Sequence, residues 1–224
     1  MAANVLKSIN WKKLKDDIVE EVFRFPGYVI SNPFKAFSDI KYEGRGSVKA
    51  CIFFMIMLCI TSVAQASKAG WIVNYTNARQ LNVWATIAGV LVQSLIFAVA
   101  NWSVAVLTDG SGKFKEIFMV TMYAQYPYIW LSWAYILLSN VLTLDEMAFG
   151  YFCTGLGILC IVIYGFIGLV SVHGFGFGKG VASIIFTAIA IVIILFVVLL
   201  LATMAGELVT FITTVCKEIS LHYF

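Results

Sequence analysis

Apolar side chains gather in five long runs, at about residues 48–66, 83–107, 117–141, 148–172 and 181–203, and no charged residue falls in the middle of any of them. The shortest has 19 residues, which at ~1.5 Å per residue reaches ~28 Å, enough to cross the hydrocarbon core of a bilayer. One such run could be a buried core helix. Five in succession predict an all-α fold, a polytopic membrane bundle of five transmembrane helices.

The polar positions orient this bundle. With the amino end in the cytoplasm, the leader and the inner turns at 108–116 and 173–180 carry twelve Lys and Arg, while the outer segments carry three: Lys68, Arg79 and Lys217. The positive-inside rule therefore puts the N-terminus in the cytoplasm and, after five spans, the C-terminus outside. Three regions follow: a cytoplasmic leader (1–46), the spans (47–203) and an amphipathic tail (204–224). In the tail Leu208, Ile212, Val215 and Ile219 share a face, as an outer-surface helix or an extension of the fifth span.

The leader has its own pattern. At about 100° per residue, Trp11, Leu14, Ile18, Val22 and Phe25 form one stripe opposite Lys13, Asp17, Glu20 and Arg24, which predicts an amphipathic interfacial helix. Pro26-Gly27 is expected to stop it. Asn32-Pro33 is expected to start a second helix carrying Phe34, Phe37 and Ile40, ended by Gly44 and Gly46. Covering the inner ends of the spans is the preferred role, ahead of docking partners in the headgroup layer.

Within the spans the polar side chains are the pointers to function. Gln93 and Asn101 lie in the second, Gln125 and Asn140 in the third. Counting from the inner ends sets Asn101 level with Tyr123 and Gln125, which predicts a hydrogen-bonded cluster of these three. Helix–helix adhesion is the plainer reading of it, a polar pocket the functional one. Pro127 predicts a kink near 123–126. Tyr123, Tyr126 and Tyr128 need acceptors, so this span is expected to face protein rather than lipid. The fourth span holds Gly150, Gly155, Gly157, Gly165 and Gly168. Close packing within the bundle through Gly157, Gly165 and Gly168 is preferred to a homo-oligomer seam.

Composition narrows the function. The chain is 61% hydrophobic and 12% charged, with mean hydropathy +0.92 and net charge +3. Soluble domains carry about 25% charge, so a disordered chain or a nucleic-acid partner is excluded. His173 and His222 fall on opposite sides of the membrane, and no Cys-x-x-Cys occurs, so no metal site is expected. The Gly174–Gly180 segment lacks the third glycine of a dinucleotide loop and the Ser/Thr of a phosphate loop. No cofactor and no enzymatic activity are expected.

Four stretches then carry a resemblance: Asn32-Pro33-Phe34-Lys35-Ala36-Phe37; the inner turn Leu107-Thr108-Asp109-Gly110-Ser111-Gly112-Lys113-Phe114-Lys115-Glu116; Tyr123-Ala124-Gln125-Tyr126-Pro127; and His173-Gly174-Phe175 leading to Gly178-Lys179-Gly180. In order and placement they resemble the Yip-domain (Ypt-interacting protein) membrane proteins over about residues 30–203, in the compact form of bacterial members. The five-span layout agrees with the resemblance. The family's eukaryotic members associate with Rab-type GTPases and with one another, and they have longer leaders with an acidic Tyr-Gly-type segment that this leader lacks. Some bacterial members accompany solute transport systems. The expectation is a scaffold or accessory subunit in a bacterial inner membrane. It would recognise membrane-protein partners, such as transport-system subunits, through the leader and the second–third hairpin. The alternative is a small-solute or lipid transporter using Asn101 and Gln125 beside Pro127.

Overall fold

A computed structural model describes residues 19–71, 73–74 and 81–223, and the described residues are helical with short connections. A π-helical turn, Glu20–Arg24, leads into α1 (Phe25–Ser31) and α2 (Pro33–Tyr42). Five long helices follow: α3 (Val48–Lys68), α4 (Val83–Leu107), α5 (Phe114–Ser139), α6 (Ala148–His173) and α7 (Phe177–Tyr223), with a 3₁₀ turn at Leu144–Glu146 before α6.

These helices fall on the five apolar runs, but four regions are both long and apolar enough to cross a membrane: α3, α4, Leu144–His173 and Phe177–Ser220. The third run differs. At 26 residues α5 is long enough, yet its phenols, indoles, Gln125 and Pro127 leave it short of the others in apolarity. It buries thirteen residues, against six on α4. A helix surrounded by other helices is not selected for solubility in lipid, so the least apolar helix occupies the centre.

The carboxyl ends of α3 and α5 are joined. The Gly70 N–H donates to Ser139 Oγ (2.9 Å), and Asn140 Nδ2 donates to the Lys68 carbonyl (2.8 Å). The Asn140 amide thus supplies a donor to the carbonyl-rich end of α3, and the Ser139 hydroxyl takes up the Gly70 N–H. Gly70 admits no side chain, since a Cβ there would sit 1.8 Å from the Ser139 carbonyl oxygen.

The leader departs from expectation at its break. Trp11, Leu14 and Ile18 lie outside the described residues. Val22 and Phe25 do turn inward, Phe25 packing edge-on against Tyr123 at 5.0 Å. Pro26-Gly27 does not stop the helix, which continues to Ser31. A proline clashes with the carbonyl four residues back. Here the chain widens into a π turn just before it, with the Phe25 N–H bonded to the Glu20 carbonyl, which makes room for the ring. The break comes at Asn32, whose φ of −139° leaves the helical region and whose side chain makes no cap bond.

From Asn32, α2 runs under the end of the bundle that holds the 108–113 turn. Phe37 and Ile40 are fully buried while Phe34 faces out. Asp39, also buried, accepts from the Tyr28 hydroxyl (3.1 Å) and pairs with Arg45 (3.4 Å), so its charge is not left unmet. Phe37 sits beneath Gly168 of α6, and Tyr164 donates to the Ile30 carbonyl (3.2 Å).

The glycines of α6 divide into two kinds. A Cβ at Gly168 would lie 2.5 Å from Val120 and 3.2 Å from Phe37, and one at Gly157 would lie 2.9 Å from Tyr128. These two give close approach to α5 and α2. Gly155 and Gly165 have nothing within 4 Å, so Gly165 does not belong to the packing seam its spacing predicts. Gly168→Ala is therefore expected to lower stability by about 1–3 kcal/mol through overpacking. Gly155→Ala is expected to be neutral or to add up to about 1 kcal/mol from helix propensity. Thermal unfolding of both variants in detergent checks the contrast.

Candidate functional site

Two places in the bundle combine polar chemistry with enclosure. The first is at the inner end. His173 ends α6 as a buried residue rather than opening a loop. Its Nε2 lies 2.9 Å from Asn101 Oδ1, and Asn101 Nδ2 donates to Thr187 Oγ1 (3.0 Å) on α7. The Thr187 hydroxyl donates to the Ser183 carbonyl (2.7 Å). On the other side of the ring, the Gly112 N–H donates to His173 Nδ1 (3.3 Å).

Read in order, every donor in this chain meets an acceptor. It runs from Gly112 N–H to Nδ1, from Nε2–H to Asn101, from its amide to Thr187, and from Thr187 to a backbone carbonyl. Only the neutral, Nε2-protonated ring fits, because Gly112 requires a lone pair on Nδ1. Four segments are thereby tied together: α4, the inner turn, α6 and α7.

The inner turn is shaped around this ring. Thr108 closes α4, its hydroxyl donating to the Val104 carbonyl (3.0 Å). Asp109 takes the left-handed conformation (φ +56°), which Asp tolerates better than most residues. Gly110 and Gly112 are needed for proximity instead. A Cβ on either would fall 2.7–2.8 Å from the imidazole. Ser111 donates to the His173 carbonyl (3.1 Å) and receives the ammonium of Lys41 from α2, while Phe175 stacks on the ring at 5.0 Å.

The expected cluster of Asn101, Tyr123 and Gln125 is not formed. Tyr123 turns to α3, where its hydroxyl accepts the Ser47 N–H (3.1 Å) among Phe25 and Phe54 rather than using a carbonyl freed by Pro127. α5 stays helical through Pro127, which is buried. Depth along the hairpin matched, but azimuth did not, since residues 123 and 125 point about 200° apart around one helix. The partners of Asn101 lay at His173 and Thr187, outside the hairpin.

Gln125 instead lines the second place, a cleft in the membrane body. One cavity of about 440 Å³ lies among α4, α5, α6 and α7, and a neighbouring one of about 390 Å³ reaches α3. Gln93, Ser94, Gln125 and Ile161 line both. The remaining walls are mainly aliphatic. Among the described residues no group of three or more His, Cys, Asp or Glu could hold a metal ion.

Two of the sequence stretches that carried the resemblance thus meet at one ring, Gly110 and Gly112 from the second and His173 and Phe175 from the last, while Lys41, just past the first, reaches the same turn through Ser111. A family model, the Yip1 domain, matches residues 27–200. The chain belongs to the Yip1 domain family. The match takes in α2 as well as the spans, and with the apolar helices it marks an integral membrane protein. Comparison with curated proteins found no match, and comparison with solved structures found none either.

In this Yip1 domain protein, Asn101→Leu is expected to cost about 1–3 kcal/mol, because it strands the His173 Nε2–H and a Thr187 lone pair in a buried site. Gly112→Ala is expected to destabilise as well, by driving a methyl into the imidazole. Thermal unfolding in detergent tests both. Unchanged melting of Asn101→Leu would contradict the chain of bonds described.

Proposed function

We propose that the protein is a non-enzymatic scaffold or accessory subunit of a bacterial inner-membrane complex, crossing the membrane five times with α5 as the enclosed third span. Its N-terminus is cytoplasmic and its C-terminus outside, as the lysines and arginines favour.

One observation carries the scaffold reading: α7 is a single helix of 47 residues. At ~1.5 Å per residue it is ~70 Å long, against a hydrocarbon core of ~30 Å. Past residue 203 it leaves the bundle and still carries Met204, Leu208, Val209, Phe211, Ile212 and Ile219, all exposed. Glu207, Thr210, Thr213, Thr214 and Lys217 occupy the other side. A two-faced helix whose apolar side is left uncovered among the described residues suits an interaction arm. The leader suits it less. Val22, Phe25, Phe37 and Ile40 are spent on the bundle, leaving Phe23 and Phe34 outward for the headgroup layer.

Affinity purification from native membranes tests this. A membrane-protein partner is expected to co-purify with the full chain and to be lost when the chain is cut after Ala205, with the bundle's melting unchanged. Solute or lipid flux by the purified protein alone in proteoliposomes, abolished by Gln93→Leu with Gln125→Leu, would contradict the scaffold reading and favour transport.

A further inference from the structure

We propose that the intramembrane cleft is a binding site for an uncharged lipid, one carrying hydroxyl or carbonyl groups on a hydrocarbon body. The argument begins with three unmet polar side chains. Gln93, Ser94 and Gln125 line both cavities, and none has a hydrogen-bond partner among the described residues. Ser94 is 96% buried and borders both cavities. Gln125 is half-buried and Gln93 exposed at the cleft's open side. In hydrocarbon an unpaired amide or hydroxyl is costly, so three of them bordering one cleft call for a guest that bonds to them.

The rest of the lining sets the guest's other properties. No Lys, Arg, Asp or Glu borders either cavity, so nothing would neutralise a phosphate or an ammonium at this depth. The walls are mostly Val, Ile, Leu and Phe, which suit hydrocarbon and give a water cluster few partners. Gln93 lies ten residues from the outer start of α4, and Gln125 eleven from the inner start of α5. Both are therefore ~15 Å from a helix end, near the bilayer midplane. An uncharged lipid can carry its oxygen atoms that deep, whereas a phospholipid keeps its headgroup at the surface.

The space is built into the backbone. Gly89 and Gly165 both line the larger cavity, and a Cβ on either would meet nothing within 4 Å. Gly165 thereby leaves volume where Gly168, one turn away, gives helix contact. The site lies apart from the His173–Asn101–Thr187 chain and does not depend on the scaffold reading.

The test uses the full chain reconstituted in phosphatidylcholine vesicles, with three photoactivatable probes bearing the same diazirine chain: a diacylglycerol, an alkane and a phosphatidylcholine. Diacylglycerol adducts are expected at Ile96, Ile161, Ile191 and Leu195, exceeding alkane adducts by about five-fold or more, the yield of one net hydrogen bond. Gly165→Leu should abolish them by filling the space. Gln93→Leu with Gln125→Leu, which breaks no bond within the protein, should reduce diacylglycerol labelling to the alkane level. Equal labelling by alkane and diacylglycerol, labelling that survives the double substitution, or glutamine-dependent labelling by phosphatidylcholine would each overturn the proposal.

Discussion

Inside a bilayer there is no water to bond with a polar group, and most of this architecture answers that constraint. Phenols, indoles, an amide and a proline are concentrated on α5, and the fold places that helix where the other helices surround it. The two ends of the bundle are closed by the same means. Asn140 and Ser139 serve the carboxyl end of α3, and Asn101, His173 and Thr187 bond to one another at the inner end. Not every group is met: Ser132, Trp133 and Ser183 are buried without a partner among the described residues, and at mid-depth Gln93, Ser94 and Gln125 line one cleft with no partner among the described residues. The contrast between a fully satisfied chain of donors and acceptors at one level and open capacity at another separates the part that holds the helices from the part available to a guest.

The inner turn shows how glycine, histidine and asparagine depend on one another. Gly110 and Gly112 are small because an imidazole stands against them, not because the turn demands a left-handed glycine, a role Asp109 takes. The ring is held because Asn101 and Gly112 approach it from opposite sides. Lys41 reaches the same turn through Ser111, so α2 is fastened to three of the long helices through one short segment. Any change at this point is felt in the leader and in α7 together.

The long helices could be read from the chain because an apolar run of this length has few other structures open to it. Their partners could not. Depth follows from counting residues along a hairpin, but contact follows from rotation, and two residues two apart on α5 face opposite ways. Asn101 was expected opposite Tyr123 and Gln125 for this reason, while its neighbours belonged to helices far along the chain. His173 looked like a loop residue because the apolar run ends at Val172. The close pair Gly110 and Gly112 was the one local sign that something bulky packs there. Gly165 and Gly168 share a spacing yet differ in role, since one faces a void and the other an aromatic ring. Pro26-Gly27 resembled a stop signal, and the π turn before it removed the clash that would have made it one.

The account stands on α5 crossing the membrane in the centre of the bundle despite its polar middle, so that the two ends of the chain lie on opposite sides. Labelling of intact cells with a membrane-impermeant maleimide tests this directly. One variant would keep Cys216 on α7 as the only cysteine, and another would carry only Lys35→Cys on α2. The account predicts that Cys216 reacts in intact cells, and that the cysteine at position 35 reacts only after the membrane is opened. Reaction of both from the same side would contradict it.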